Sequence, residues 1–334
     1  MKNQEIAQLF FEEFLGEKAT AFLALPQSGS ARMNFIGKSS NETYVITYNE
    51  NLLENEAFFY FTEVFSDLKL NTPQIFKINE ERKLYIQEFL GEKTLSEIIT
   101  LEGESERVKS LVKQTLKHLF ELQEKTQNSI DFSKTFEYEK YDELPITHDL
   151  YYFKNYLIDI LELPYHKSTL LKEFKKIVEK IENLAPKSLM IRDFQARNIL
   201  VNDQDEVFFI DYQAAMEGPA LYDVVSFLFQ AKANFSENFK NEMLEYYFSF
   251  HPLEQRNELE KSLKYCKMIR FIQVLGAYGF RGLIQRKPHF ISSLEQGIQN
   301  LVEFTKTELE MNEYPELKNL ILQQVSVQPS TKQT

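Results

Sequence analysis

Arg192-Asp193-Phe194-Gln195-Ala196-Arg197-Asn198-Ile199-Leu200-Val201 and, after a short polar turn, Val207-Phe208-Phe209-Ile210-Asp211-Tyr212 is the stretch whose reading decides the fold. Ile199 to Val201 and Val207 to Ile210 are short β-branched and aromatic runs. The turn-rich residues Asn202-Asp203-Gln204-Asp205-Glu206 separate them, and the whole predicts a β-hairpin. Asn198 stands just before the first strand and Asp211 just after the second, so antiparallel pairing brings them to the same end, with Cα atoms roughly 5 Å apart. An amide oxygen and a carboxylate are hard ligands suited to magnesium, which keeps waters and nucleotide phosphates as its other ligands. Asp193, in the loop leading into the hairpin, can face the same space and accept a proton from a hydroxyl that attacks a phosphate. An Asn or an Asp alone beside a hairpin usually only caps or turns the chain. The chemistry is carried by the joint order Arg-Asp, four residues, Asn, strand, turn, strand, Asp.

These residues resemble the catalytic loop and metal-binding hairpin of the protein-kinase-like phosphotransferases, within them the aminoglycoside phosphotransferase and choline kinase family. The stretches Ile210-Asp211-Tyr212-Gln213 and Gly218-Pro219-Ala220-Leu221-Tyr222-Asp223-Val224-Val225-Ser226 are similar to bacterial kinases that phosphorylate N-acetylmuramate and N-acetylglucosamine at the anomeric hydroxyl. The motifs cover roughly residues 188 to 230. The resemblance implies that Asp193 is the catalytic base, that Asn198 and Asp211 bind Mg2+, and that Arg192 and Asp223 support the loop. It implies an α+β, two-lobe fold with a small antiparallel-sheet lobe and a larger helical lobe that carries the hairpin. Two positions depart from the pattern: Ile191 stands where His often precedes the Arg, and Tyr212-Gln213 replace the residues of protein kinases that end in Gly.

Composition fits an enzyme of this kind and excludes others. With 38 Lys and Arg against 50 Asp and Glu, the net charge is −12, which argues against nucleic acid as a partner. The single cysteine, Cys266, permits no internal disulfide, and the five histidines are scattered without ligand spacing. No apolar run approaches the ~20 residues needed to span a bilayer, and the N-terminus carries acidic residues unlike a signal peptide. A reducing cytoplasm is the expected home, with no membrane association and no obligate protein partner evident.

Along the chain, residues 4 to 15 carry helical spacing, and short β-like runs follow at 21–25, 33–36 and 44–48. Residues 51 to 65 return to helical spacing, and 74–78 and 83–89 read as two more strands. From Gly91 to Lys187 the pattern is nearly all helical, broken at Pro145 and Pro164, and helices resume after the hairpin. Strands followed by helices predict a nucleotide-binding lobe over residues 1–90 and a catalytic and acceptor-binding lobe over 91–326. Residues 327–334 read as a frayed tail.

On the nucleotide side, Ser28-Gly29-Ser30 lies in a small-residue turn where backbone N–H groups can approach phosphates. Kinases usually place a Lys on the third strand; here Thr47 holds that position and the strand has no Lys. Arg32, just beyond the turn, is expected to supply the charge, with Lys38 of an exposed turn as the second candidate, and Glu56 is expected to be the counterpart of the acid that normally pairs with that Lys. Gln87 and Phe89 are expected at the adenine-binding hinge. On the acceptor side, Arg197 and a late cluster of Arg270, Arg281 and Arg286 point to a neutral or anionic acceptor, with Arg197 and Arg281 as binding residues. The glycines between Val274 and Gly282 each cost about 1 kcal/mol in a helix, which indicates close packing or a functional turn.

The expected activity is ATP- and Mg2+-dependent phosphoryl transfer to a hydroxyl of a small molecule, a sugar or amino sugar. An aminoglycoside or a choline-type acceptor is the alternative. A catalytically weak nucleotide-binding regulator is an alternative of another class. A protein kinase is disfavoured, because Gly218-Pro219 opens a helix soon after Asp211 and leaves little room for a peptide platform.

Overall fold

The structure, a computed structural model, describes residues 2–26 and 31–325. The turn at Ser28-Gly29-Ser30 and the tail at 327–334 lie outside the described residues. By contacts the chain divides into two compact units, one of residues 1–139 with 191–216 and one of 140–190 with 217–334.

The first unit opens with helix α1 (Lys2–Leu15), whose Ala7, Phe10 and Phe11 recur at helical spacing and are buried. Three strands follow, β1 (Ala21–Ala24), β2 (Met33–Lys38) and β3 (Thr43–Tyr48), then helix α2 (Leu52–Asp67) and strands β4 (Ile75–Ile78) and β5 (Leu84–Glu88). The sheet runs in the order β1-β2-β3-β5-β4 and is antiparallel throughout. Register places Asn34 opposite Thr47 and Val45 opposite Gln87. Phe11, Phe35, Ile46 and Ile86 form a buried core between α1 and this sheet. Helix α2 begins at an Asn51 cap whose side chain accepts from the Glu54 amide.

The strand β6 (Lys93–Thr94) and helices α3 (Leu95–Glu102) and α4 (Glu106–Thr126) complete this part of the unit. Sequence spacing does not reveal β6, because two residues carry no periodicity. Thr94 also caps α3 through a reciprocal capping box with Glu97.

The second unit then begins with α5 (Glu143–Phe153), a π-helical turn over Lys154–Ile158, α6 (Lys167–Glu182) and β7 (Lys187–Met190). The chain returns to the first unit for the hairpin strands β8 (Ile199–Val201) and β9 (Val207–Phe209). It leaves again through β10 (Met216–Pro219), which pairs with β7. Helices α7 (Leu221–Leu228), α8 (Glu237–Phe248), α9 (Leu253–Tyr278), α10 (Pro288–Thr307) and α11 (Pro315–Asn319) follow, with a second π-helical turn at Gly279–Ile284. Cys266 is buried on α9, and burial pushes its thiol up to about 12, which removes it from nucleophilic chemistry. Among the described residues no helix is long and apolar enough to cross a membrane.

The glycines at the end of α9 and at the start of the π-helical turn after it serve packing. A Cβ on Gly276 would stand 2.7 Å from the Phe153 nitrogen, and one on Gly279 would stand 2.2 Å from the Tyr156 carbonyl oxygen. Both neighbours are backbone atoms that cannot swing aside. The Gly279→Ala substitution gains about 1 kcal/mol of helix propensity but incurs overpacking of about 1–3 kcal/mol or more. The clash wins, so the urea midpoint should fall. Gly282→Ala, whose Cβ would meet nothing closer than 3.3 Å, should fall less.

Candidate active site

The hairpin forms as a local unit. Ile199 pairs with Phe209 and Val201 with Val207. Asn202 closes the turn, its side-chain oxygen accepting from the amides of Gln204 (3.0 Å) and Glu206 (2.9 Å). The ribbon is anchored on both flanks. The Phe209 amide donates to the Asn71 carbonyl at 2.8 Å, and the Val207 amide donates to the Gln114 side chain of α4 at 2.7 Å. Phe194, buried in the preceding loop, meets Phe209 edge-on at 4.8 Å between ring centres, which fixes the loop to the ribbon.

Asn198 ends a single 3-10 turn and joins the loop to the far strand. Its backbone carbonyl accepts from Ile210 at 3.0 Å. Its side-chain nitrogen donates to the Asp193 carbonyl at 2.9 Å and to Asp211 Oδ2 at 3.2 Å. One amide thus ties Asp193, Asn198 and Asp211 together at the same end of the hairpin. Both donor hydrogens are spent, which leaves Asn198 Oδ1 as an acceptor. Asp211 itself adopts a left-handed backbone (φ 66°), a sparsely used conformation for a non-glycine residue, as does Arg192 (φ 71°).

The carboxylate of Asp211 is crowded with donors. Oδ1 accepts from Arg32 and, at 3.1 Å, from the Gln213 amide nitrogen. Burial opposes its ionisation, but Arg32, Gln213 and Arg197 together hold its pKa below the usual carboxylate range. The Arg32 guanidinium spans two acids, reaching Asp211 through Nη2 and Glu54 of α2 through Nε at 3.4 Å. Burial works against its charge too, yet Asp211, buried Tyr85 and Glu54 outweigh that cost and leave its pKa raised.

Here one expectation is corrected. Glu56 does not pair with Arg32; it holds exposed Arg82, with one contact at 2.7 Å. Glu54 is the partner, held in place by an Asn49 amide at 2.9 Å. The reason is helical phase. Glu54 shares a face with Phe58, Thr62 and Phe65, whereas Glu56 points with Phe59 toward Arg82. That face meets Tyr212. Phe58 stacks on its ring at 5.2 Å, Phe65 meets it edge-on at 5.0 Å and Thr62 shares a hydrogen bond with its hydroxyl at 2.7 Å.

At the third-strand position a neutral chain replaces a cation. Buried Thr47 donates to Asn34 at 2.8 Å and accepts from Gln87 at 3.1 Å. Gln87 is thereby engaged within β5, paired with Val45 on one side and Ile75 on the other. Phe89, half-buried, is the first residue of the two past the strand's end. Arg192 is buried under the Tyr138 ring, 6.0 Å from its centre, and 3.8 Å from Glu137. Arg197 is exposed on the 3-10 turn.

Three further residues belong to the second unit. Asp223 is fully buried in the first turn of α7. Arg270 is buried and lies over the Tyr222 ring at 5.8 Å. Arg281 lies over Phe290 at 5.2 Å and near Tyr152.

The donor set suits a magnesium ion. Asn198 Oδ1 and the Asp211 carboxylate are adjacent hard oxygens, too few to hold a metal alone and enough when phosphates and water complete the shell. Among the described residues no group of three or more His, Cys, Asp and Glu gathers to make a self-sufficient protein cage.

A model of the phosphotransferase enzyme family matches residues 26–258, well over half of the chain. The chain belongs to the phosphotransferase enzyme family. No curated protein matches this phosphotransferase in sequence. Solved structures do match in fold. The choline kinase LicA from Streptococcus pneumoniae superposes with a TM-score of 0.61 at 12% identity, covering 91% of this chain and 100% of its own. A thermostable mutant of the aminoglycoside phosphotransferase APH(4)-Ia, in ternary complex with ADP and hygromycin B, gives 0.58 at 15% identity, covering 88% and 97%. An ethanolamine kinase from Plasmodium vivax gives 0.58 at 16% identity, covering 85% and 82%. At such identities the likeness establishes the kinase-like α+β fold of the phosphotransferase.

Proposed function

We propose that this phosphotransferase moves the γ-phosphoryl group of ATP to a hydroxyl of a small molecule, with a sugar or amino sugar as acceptor and Mg2+ as the metal. The observation that carries the reading is the Asn198 side chain, hydrogen-bonded at once to the Asp193 carbonyl and to the Asp211 carboxylate. In this reading Asp193 orients the acceptor hydroxyl and takes its proton. Asn198 and Asp211 hold magnesium, which neutralises charge on the transferred phosphoryl group. Arg32 turns from Asp211 to the nucleotide phosphates while Glu54 keeps hold of its Nε, so a guanidinium replaces the customary lysine. Backbone groups from Phe89 onward receive the adenine. By role, residues 1–90 serve the nucleotide and 91–326 the reaction and the acceptor.

Nucleotide use is supported by relatives of the same fold solved with AMP and with ADP. The acceptor class is supported within the second unit by a set of half-buried rings beside a cation. Tyr152, Tyr156 and Phe280 lie 4.5 to 5.8 Å apart, and Arg281 is close enough to Tyr152 to oppose the rise that burial imposes on its hydroxyl. Flat rings suit the apolar face of a sugar, and an adjacent arginine disfavours polycations and quaternary amines. Within the first unit Arg197 is a proposed acceptor contact and Arg192 a proposed support of the catalytic loop; within the second unit Arg281 is the proposed acceptor contact. With its lone thiol buried, the protein is suited to a reducing cytoplasm.

The test is ADP release with ATP, Mg2+ and a panel of amino sugars, hexoses, choline and aminoglycosides. Turnover that depends on an amino sugar or hexose and disappears with a chelator is expected. A response to choline or aminoglycosides alone would reassign the acceptor. Tight ATP binding without any acceptor-dependent turnover would replace the enzyme by a nucleotide-binding regulator.

A further inference from the structure

Gln213 stands two residues beyond Asp211, where protein kinases carry a glycine. It is buried, with only 6% of its surface exposed. Its amide nitrogen donates to Asp211 Oδ1 at 3.1 Å, while its carbonyl oxygen, Oε1, is fully buried and has no hydrogen-bond partner among the described residues. The orientation follows from charge: the opposite one would set a carbonyl oxygen against a carboxylate. A buried acceptor with nothing to accept carries the full cost of its desolvation, and such groups are rare enough in folded proteins to require a reason. A methionine or leucine would fill the same space without that cost.

The geometry points to Gln213 as a positioning residue for the metal. This inference rests on the phosphotransferase reading above. The amide fixes which face of the Asp211 carboxylate is open. With Oδ1 drawn toward Arg32 and Gln213 and Oδ2 drawn toward Asn198, the carboxylate cannot rotate about its last bond without breaking one of the three. When Arg32 turns to the phosphates, Gln213 is the neutral donor that keeps Oδ1 in place. The unpartnered Oε1 lies about 2.3 Å from the nitrogen in the same planar amide. It is the acceptor this amide leaves open on the side of the Asp211 carboxylate. Hydrogen-bond partners of metal-binding carboxylates typically contribute 10–100-fold to metal affinity.

The experiment measures Mn2+ binding by electron paramagnetic resonance, with a non-hydrolysable ATP analogue present, for the parent protein and for Gln213→Met. Denaturant midpoints and metal-free analogue affinity are measured alongside. The methionine variant should bind Mn2+ about 10–100-fold more weakly, with metal-free analogue affinity unchanged and a denaturant midpoint equal to or above the parent's. A purely structural glutamine gives the opposite pair: a lower midpoint and parental Mn2+ affinity, which overturns the inference. Gln213→Asn, which keeps the amide but withdraws it by one methylene, provides the same comparison should the methionine variant not fold; weakened Mn2+ binding supports the assignment and parental binding overturns it. If the parent complex holds no Mn2+, the metal reading falls and this assignment with it. If the parent holds Mn2+ and the variants match it, only the role of Gln213 falls.

Discussion

Asp193→Asn is expected to lower acceptor-dependent turnover about 10³-fold, within the range spanned by general-base catalysis. The variant should fold and bind nucleotide as the parent does. Two bonds of this loop use the Asp193 backbone: its amide donates to the Ile191 carbonyl at 2.9 Å, and its carbonyl accepts from Asn198. An isosteric amide leaves both intact and removes the carboxylate proposed to take the proton. The fall should therefore appear in kcat, with KM for ATP little changed. Steady-state ADP release checks it. A turnover within threefold of the parent would remove Asp193 from the chemistry and with it the proposed mechanism.

The second large effect is expected at Arg32. Replacing it with methionine removes the one cation bound to Asp211 within the described residues, and kcat/KM for ATP should drop about 10²-fold or more, as when one charge-stabilising donor is lost. Two acids, Asp211 and Glu54, would then face each other unpaired. Fully buried pairs broken on one side cost about 3–5 kcal/mol. Asp211 is about a third exposed and solvent screens it, so about 2 kcal/mol is the appropriate scale here. Arg32→Lys keeps the charge but not the fork that spans both acids, and should fall between the two. Separating stability from catalysis requires both denaturant melts and kinetics. A methionine variant that is destabilised yet retains parental kcat/KM would make Arg32 a structural residue and reopen the question of what replaces the third-strand lysine.

Much of the site was legible because it is local. The hairpin, with Asn198 before it and Asp211 after it, is written in about twenty consecutive residues, and antiparallel geometry supplies the convergence. That Arg32 reaches Asp211 was not written locally, since the two stand far apart in the chain. The partner of Arg32 on α2 was not readable from proximity: Glu54 and Glu56 are equally near in sequence, and only the phase set by Phe58, Thr62 and Phe65 separates them. That stripe was present in the chain and would have sufficed. Gln213 left no such trace, because a single glutamine has no short-range signature and its bond to Asp211 depends on the folded turn. The short strands β6 and β10 were missed for the same reason that periodicity needs length.

Arg32 and Asp211 are 179 residues apart, and between them runs the whole of the segment 140–190 that packs elsewhere. A ribosome must therefore release the sheet, both helices after it and fifty residues of foreign helix before the last strand of the ribbon emerges. Until then the guanidinium has Glu54 but not the Asp211 carboxylate. Closing so wide a span carries an entropic toll that rises slowly with its length, and non-local pairing of this kind sets the pace of folding. A chain halted before residue 211 keeps its first sheet yet lacks the Arg32–Asp211 pair, which therefore closes late in biosynthesis.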